Sequence, residues 1–95
     1  MAYTYVGTLD ACGCSYAYRT LLGDEPMPEF ELALYRCRSD EDVRLLLENI
    51  INFKRSGSGI TTVELLGRMG DTLLFKIPRA SMGADMYIEI RTKEE

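Results

Sequence analysis

The chain has 95 residues, 46% apolar and 27% charged, with a formal net charge of −4 and no histidine. That length holds one small domain, and the composition excludes a disordered tail, a collagen-like repeat or a low-complexity segment. The acidic balance disfavours a non-specific hold on nucleic acid or acidic lipid, and the missing imidazole removes His-based triads, His metal sites and histidine bases.

The opening Met1-Ala2-Tyr3-Thr4-Tyr5-Val6 lacks a basic flank with an apolar run of signal-peptide length. No apolar stretch approaches the ~20 residues of a spanning helix. The expectation is a cytoplasmic protein without a membrane association. Tyr3 to Leu9 and Tyr16 to Leu22 read as two strands, joined by Asp10-Ala11-Cys12-Gly13-Cys14-Ser15.

Phe30, Leu32 and Leu34 alternate with Glu29, Glu31 and Ala33, which predicts a strand over 29–37, bracketed at its start by Pro26 and Pro28. A helix over 40–55 follows. Ser39 is placed to cap it, and Asp40, Glu41 and Asp42 suit the positive end of the helix dipole. Val43, Leu46, Leu47, Ile50, Ile51 and Phe53 share one face; Arg44, Glu48, Asn49 and Asn52 fall on the far side. Ser56-Gly57-Ser58-Gly59 then breaks the helix.

Two strands flank Gly70. A register with Gly67 opposite Leu73, Leu65 opposite Phe75 and Val63 opposite Ile77 keeps the large apolar groups on one face. It also sets Glu64 opposite Lys76 and leaves Met69-Gly70-Asp71 as a three-residue loop. Pro78 is expected to end the second strand, with 78–84 as a connecting loop. Met86, Ile88 and Ile90 alternate with polar neighbours as a half-buried strand. The whole predicts an α+β domain: a roughly six-stranded, mostly antiparallel sheet in chain order β-β-β-α-β-β-β, one helix packed on one face.

Cys12, Cys14 and Cys37 are an odd set in a C-x-C spacing, unlike the paired C-x-x-C of zinc ribbons, and no histidine is present to complete a site. They read as turn or core residues, with a metal or redox role as a lesser alternative; no cofactor is expected. Gly57-Ser58-Gly59 follows a helix C-terminus, where the dipole has the wrong sign for a phosphate loop. The serines and threonines have no partner base but lysine, so no hydrolase triad can form, and no enzyme activity is expected.

What remains is surface. Tyr35 and Tyr87 fall on the polar side of their predicted strands, Leu66 and Leu74 pair on the outer face of the hairpin, and Leu45 points into the polar side of the helix. Apolar groups left outside the core, with tyrosines beside them, are the stuff of contact surfaces. The leading expectation is a non-enzymatic protein-binding or oligomerisation module acting through an open sheet face. Residues 1–48 carry nine acids and four bases, against six and seven in 49–95. An acidic patch at Asp24, Glu25, Glu29 and Glu31 therefore gives a second reading: a small inhibitor of phage type, blocking a nucleic-acid-handling complex by presenting carboxylates in place of phosphates.

Overall fold

A computed structural model describes residues 2–16, 27–54, 61–81 and 84–93. Along the chain it contains β1 (Ala2–Asp10), β2 (Ser15–Tyr16), α1 (Met27–Arg36), α2 (Asp40–Lys54), β3 (Glu64–Met69), β4 (Thr72–Ser81) and β5 (Ala84–Lys93). The strands form one sheet in the order β2-β1-β5-β4-β3, antiparallel throughout. The α+β class stands. Among the described residues the count and order change: two helices rather than one and five strands rather than six, in the sequence β-β-α-α-β-β-β. Beyond Tyr16, the expected strand to Leu22 lies outside the described residues.

The main correction is α1, where a strand over 29–37 was expected. Alternation at Phe30, Leu32 and Leu34 is also half of a helical face, because positions 30, 34 and 37 recur at four and seven residues. Burial decides between them. Phe30 and Leu34 are 0% exposed and Cys37 8%, whereas Leu32 is 51% exposed. The segment MPEFELALYR has no β-branched residue and is rich in helix formers. Pro28 sits in the first turn, where its missing N–H costs nothing, and Glu29 and Arg36 match the dipole at either end.

α2 forms where expected. Ser39 Oγ accepts the Asp42 N–H at 3.2 Å, and Asp42 Oδ2 accepts the Arg38 N–H at 2.9 Å. Val43, Leu47 and Ile51 are buried, with Leu46 and Ile50 packed beside them; the side chain of Phe53 lies outside the described ones. The opposite face carries Arg44, Glu48 and Asn52, and these side chains bind backbone. Glu48 Oε2 accepts the Val63 N–H at 3.0 Å, Arg44 Nη1 donates to the Val63 carbonyl at 3.1 Å, and the two side chains pair at 2.8 Å. Asn52 receives the Thr61 N–H at 2.7 Å and donates to the Thr61 carbonyl at 3.0 Å. These side chains satisfy backbone groups that no strand partner reaches, and so hold 61–63 against the helix as the chain enters β3.

The β3–β4 hairpin has the expected pairs Glu64↔Lys76 and Leu65↔Phe75, and then departs from expectation. Leu66 is bulged, so pairing resumes as Gly67↔Leu74, Arg68↔Leu73 and Met69↔Thr72. The turn is therefore Gly70-Asp71 rather than three residues, with Gly70 at φ 62°, the left-handed conformation that hairpin turns favour. Gly67 does not face Leu73, and Val63 precedes the strand instead of pairing with Ile77. One extra residue on β3 compensates for the shorter turn, and alternation alone carries no signal for it. Leu65 is 39% exposed at the rim of the sheet, and beyond the bulge Arg68 reaches the Asp40 carboxylate at 3.3 Å.

Pro78 does not end β4. Regular pairing with β5 halts at Ile77↔Met86 and resumes at Ser81↔Ala84, and pairing with β3 has already ended at Lys76. A residue without an N–H is tolerated at such an irregularity. The expected 78–84 loop is thus mostly strand. Leu73, Phe75 and Ile77 of β4 and Met86, Ile88 and Ile90 of β5 point toward the helices and, with Tyr3 of β1, complete the core.

Candidate functional site: the uncovered sheet face

α1 and α2 serve the core side of the sheet. Among the described residues no helix covers the other side. Register fixes what that side presents. Gly7 of β1, Glu89 of β5, Leu74 of β4 and Gly67 of β3 stand in one row across the sheet. The row toward one end reads Leu9, Tyr87, Lys76 and Glu64; the row toward the other reads Thr4, Arg91, Thr72 and Met69.

A shallow groove of about 420 Å³ runs over the β3–β4 side, lined by Leu66, Met69, Thr72, Leu74 and Glu89 among others. Leu66 is 49% exposed and Met69 86%, large apolar groups at an open rim. A second depression of about 410 Å³ lies toward β1 and its turn, between Leu9, Cys12, Leu74 and Tyr87. Leu74 belongs to both and forms the ridge between them.

Three of the five predicted contact residues, Leu66, Leu74 and Tyr87, therefore meet on this face. Tyr35 does not. It is 58% exposed on α1, because the segment is helical and its side chain follows a helical turn away from the sheet. Leu45 is likewise exposed on α2, in the helical layer. Met69, assigned to the loop in the sequence, escaped notice because the shortened turn returns it to β3. Leu9 was read only as a strand end.

Opposite charges accompany the apolar groups. Lys76 Nζ lies 3.6 Å from Asp85, and Arg91 Nε lies 3.8 Å from Asp71. Such exposed pairs contribute little to stability, but they set where charge is free. Glu89 has no ion pair among the described residues, although it stands between the rows that hold both cations.

The predicted acidic patch is not assembled among the described residues. Asp24 and Glu25 lie outside them. Glu29 and Glu31 are exposed on α1 but two residues apart, so about 200° of helical turn separates them. In the first turn of α2 the acids have intramolecular work. Asp40 accepts the Tyr3 hydroxyl at 2.9 Å and pairs with Arg68. Glu41 binds Arg44 at 2.6 Å, and that hydrogen bond holds its carboxyl below the usual range.

The cysteines are separated. Cys12 and Cys14 are exposed in the β1–β2 turn, where both backbone N–H groups donate to Asp10 Oδ1 at 2.9 Å. Cys37 is buried behind α1, its thiol 3.4 Å from the Ala33 carbonyl; burial first, and Asp42 second, push its pKa up. Among the described residues no cluster of three His, Cys, Asp or Glu side chains is placed to hold a metal ion. Gly57-Ser58-Gly59 lies outside the described residues. No helix among the described residues is long and apolar enough to cross a membrane. No family model, curated protein or solved structure matches the chain.

Proposed function

We propose that the protein is a non-enzymatic protein-binding module that docks another protein on its uncovered sheet face. One observation carries this reading: Leu66, Met69 and Leu74, apolar groups left over from the core, converge on one groove beside Tyr87. Apolar area of this kind is stabilised by a partner that removes it from water, and tyrosine adds contact area with a polar tip. The absence of histidine from the whole sequence leaves general acid–base and nucleophilic schemes without their commonest base. Of the acids the mimicry reading invokes, Glu29 and Glu31 diverge by about 200° on α1, which favours the sheet face as the working surface.

The test is the double variant Leu66→Glu/Leu74→Glu, checked for native circular dichroism and used beside the wild type in affinity capture from its native source, with mass in solution measured for both. Partners or self-association lost in the variant are the expected result. An unchanged set of captured proteins and an unchanged mass would refute the proposal.

A further inference from the structure

On the uncovered face the middle row begins and ends in glycine, and neither glycine is required by the fold. A Cβ built at Gly7 or at Gly67 meets nothing within 4 Å, and neither residue is among the left-handed glycines, which are Gly13 and Gly70. Each follows a bulge, at Val6 and at Leu66, so the two irregularities of β1 and β3 flank the same row. Glycine inside a strand weakens it, and often marks a bulge or a place where a ligand or another backbone approaches closely. Bulges gather beside binding sites for a related reason, since they redirect side chains.

Between the glycines stand Glu89 and Leu74. The carboxylate of Glu89 is at the edge of the apolar groove, and the nearby outer-face cations are engaged elsewhere, Lys76 with Asp85 and Arg91 with Asp71. From this we infer that the groove lined by Leu66, Gly67, Leu74 and Glu89 receives an apolar segment of a partner protein that carries an arginine or lysine. Its cationic head pairs with Glu89, its aliphatic stem lies along Leu74, and the backbone that bears it fits where Gly67 lacks a side chain. This rests on the uncovered face being a docking surface, and it names the charge of what docks.

Two fluorescent peptides decide the matter, one with an arginine between two leucines and its twin with a glutamate there, titrated by anisotropy at low salt. The wild type should bind the arginine peptide at least tenfold more tightly. Glu89→Lys should reverse the ranking, and the conservative Glu89→Gln should abolish the preference without reversing it. Gly67→Ala should weaken the arginine peptide while leaving the fold intact by circular dichroism. Equal binding of both peptides, with Leu74→Glu removing both, would overturn the charge assignment while leaving the docking face in place. Failure of both peptides to bind would overturn the pairing with Glu89, and the capture experiment with Leu66→Glu/Leu74→Glu then judges the face separately. A concentration-dependent dimer that Leu66→Glu dissolves would put a second copy in the groove and overturn the proposal of a separate basic partner.

Discussion

Replacing Tyr3 by phenylalanine removes one oxygen from the link between β1 and the start of α2. The residue is 2% exposed, and its hydroxyl donates to Asp40 Oδ1 at 2.9 Å. A hydrogen bond to a charged group contributes about 1.5–3 kcal/mol. Asp40 keeps Arg68 after the substitution and is partly open to solvent, so the lower end, about 1.5 kcal/mol, is expected at pH 7. In a domain of this size that lowers Tm by roughly 6–12 °C. The same bond makes a second prediction, in pH. Burial, and then the hydrogen bond to Asp40, push the phenol from 10.0 up to about 12. A raised folded-state pKa gives stability that is complete below pH 10 and is lost as pH climbs toward 12, because the unfolded phenol releases its proton first. The full difference is worth at most about 2.7 kcal/mol, and solvent around Asp40 reduces the expectation to about 1–2 kcal/mol. Other tyrosines and the lysines titrate in this range too, so the informative quantity is wild type minus Tyr3→Phe. Urea denaturation at pH 7, 9, 10 and 11 should show that gap narrowing above pH 10. A gap that stays constant or widens would refute the reasoning.

Three further substitutions probe other parts of the fold. Leu34→Ala should cost about 2–5 kcal/mol in chemical denaturation, whereas Leu32→Ala stays within about 0.5 kcal/mol; equal losses would restore the strand reading of this segment. Asn52→Ala removes both hydrogen bonds to Thr61 and should cost about 1–2 kcal/mol, with a negligible change in midpoint counting against the clamp. Gly67→Ala should raise stability by about 0.5 kcal/mol, since its Cβ enters open space, and a drop in Tm would show that the backbone needs glycine there.

Where the sequence was legible, one period had no rival. Val43, Leu47 and Ile51 fit only a helix, and Met86, Ile88 and Ile90 only a strand, and both segments form as expected. Phe30 and Leu34 satisfy either period, and the choice between them falls to Cys37 and to the lack of β-branched residues, which weigh more than Leu32. Bulges leave no trace in alternation, so the hairpin register was right at Leu65 and one residue out at Gly67. Polar residues on a helix resemble a solvated face whether or not they grip backbone, which is why Glu48 and Asn52 went unread. The site was half visible for a similar reason. Leu66, Leu74 and Tyr87 stood out as apolar surplus, but the row joining Gly7, Glu89 and Gly67 exists only once β1, β3 and β5 share a sheet.

That strand order also bears on how the protein comes into being. β1 precedes every other described strand, yet its long partner is β5, with Ala2 opposite Lys93. On the ribosome, the helices and the β3–β4 hairpin have local partners as they emerge, but β1 must wait until β5 has left the exit tunnel. Closing so long a loop is slow, and the waiting strand offers bare hydrogen-bonding groups to any neighbour. Nascent chains should therefore be most vulnerable to misassembly in the interval before β5 is released.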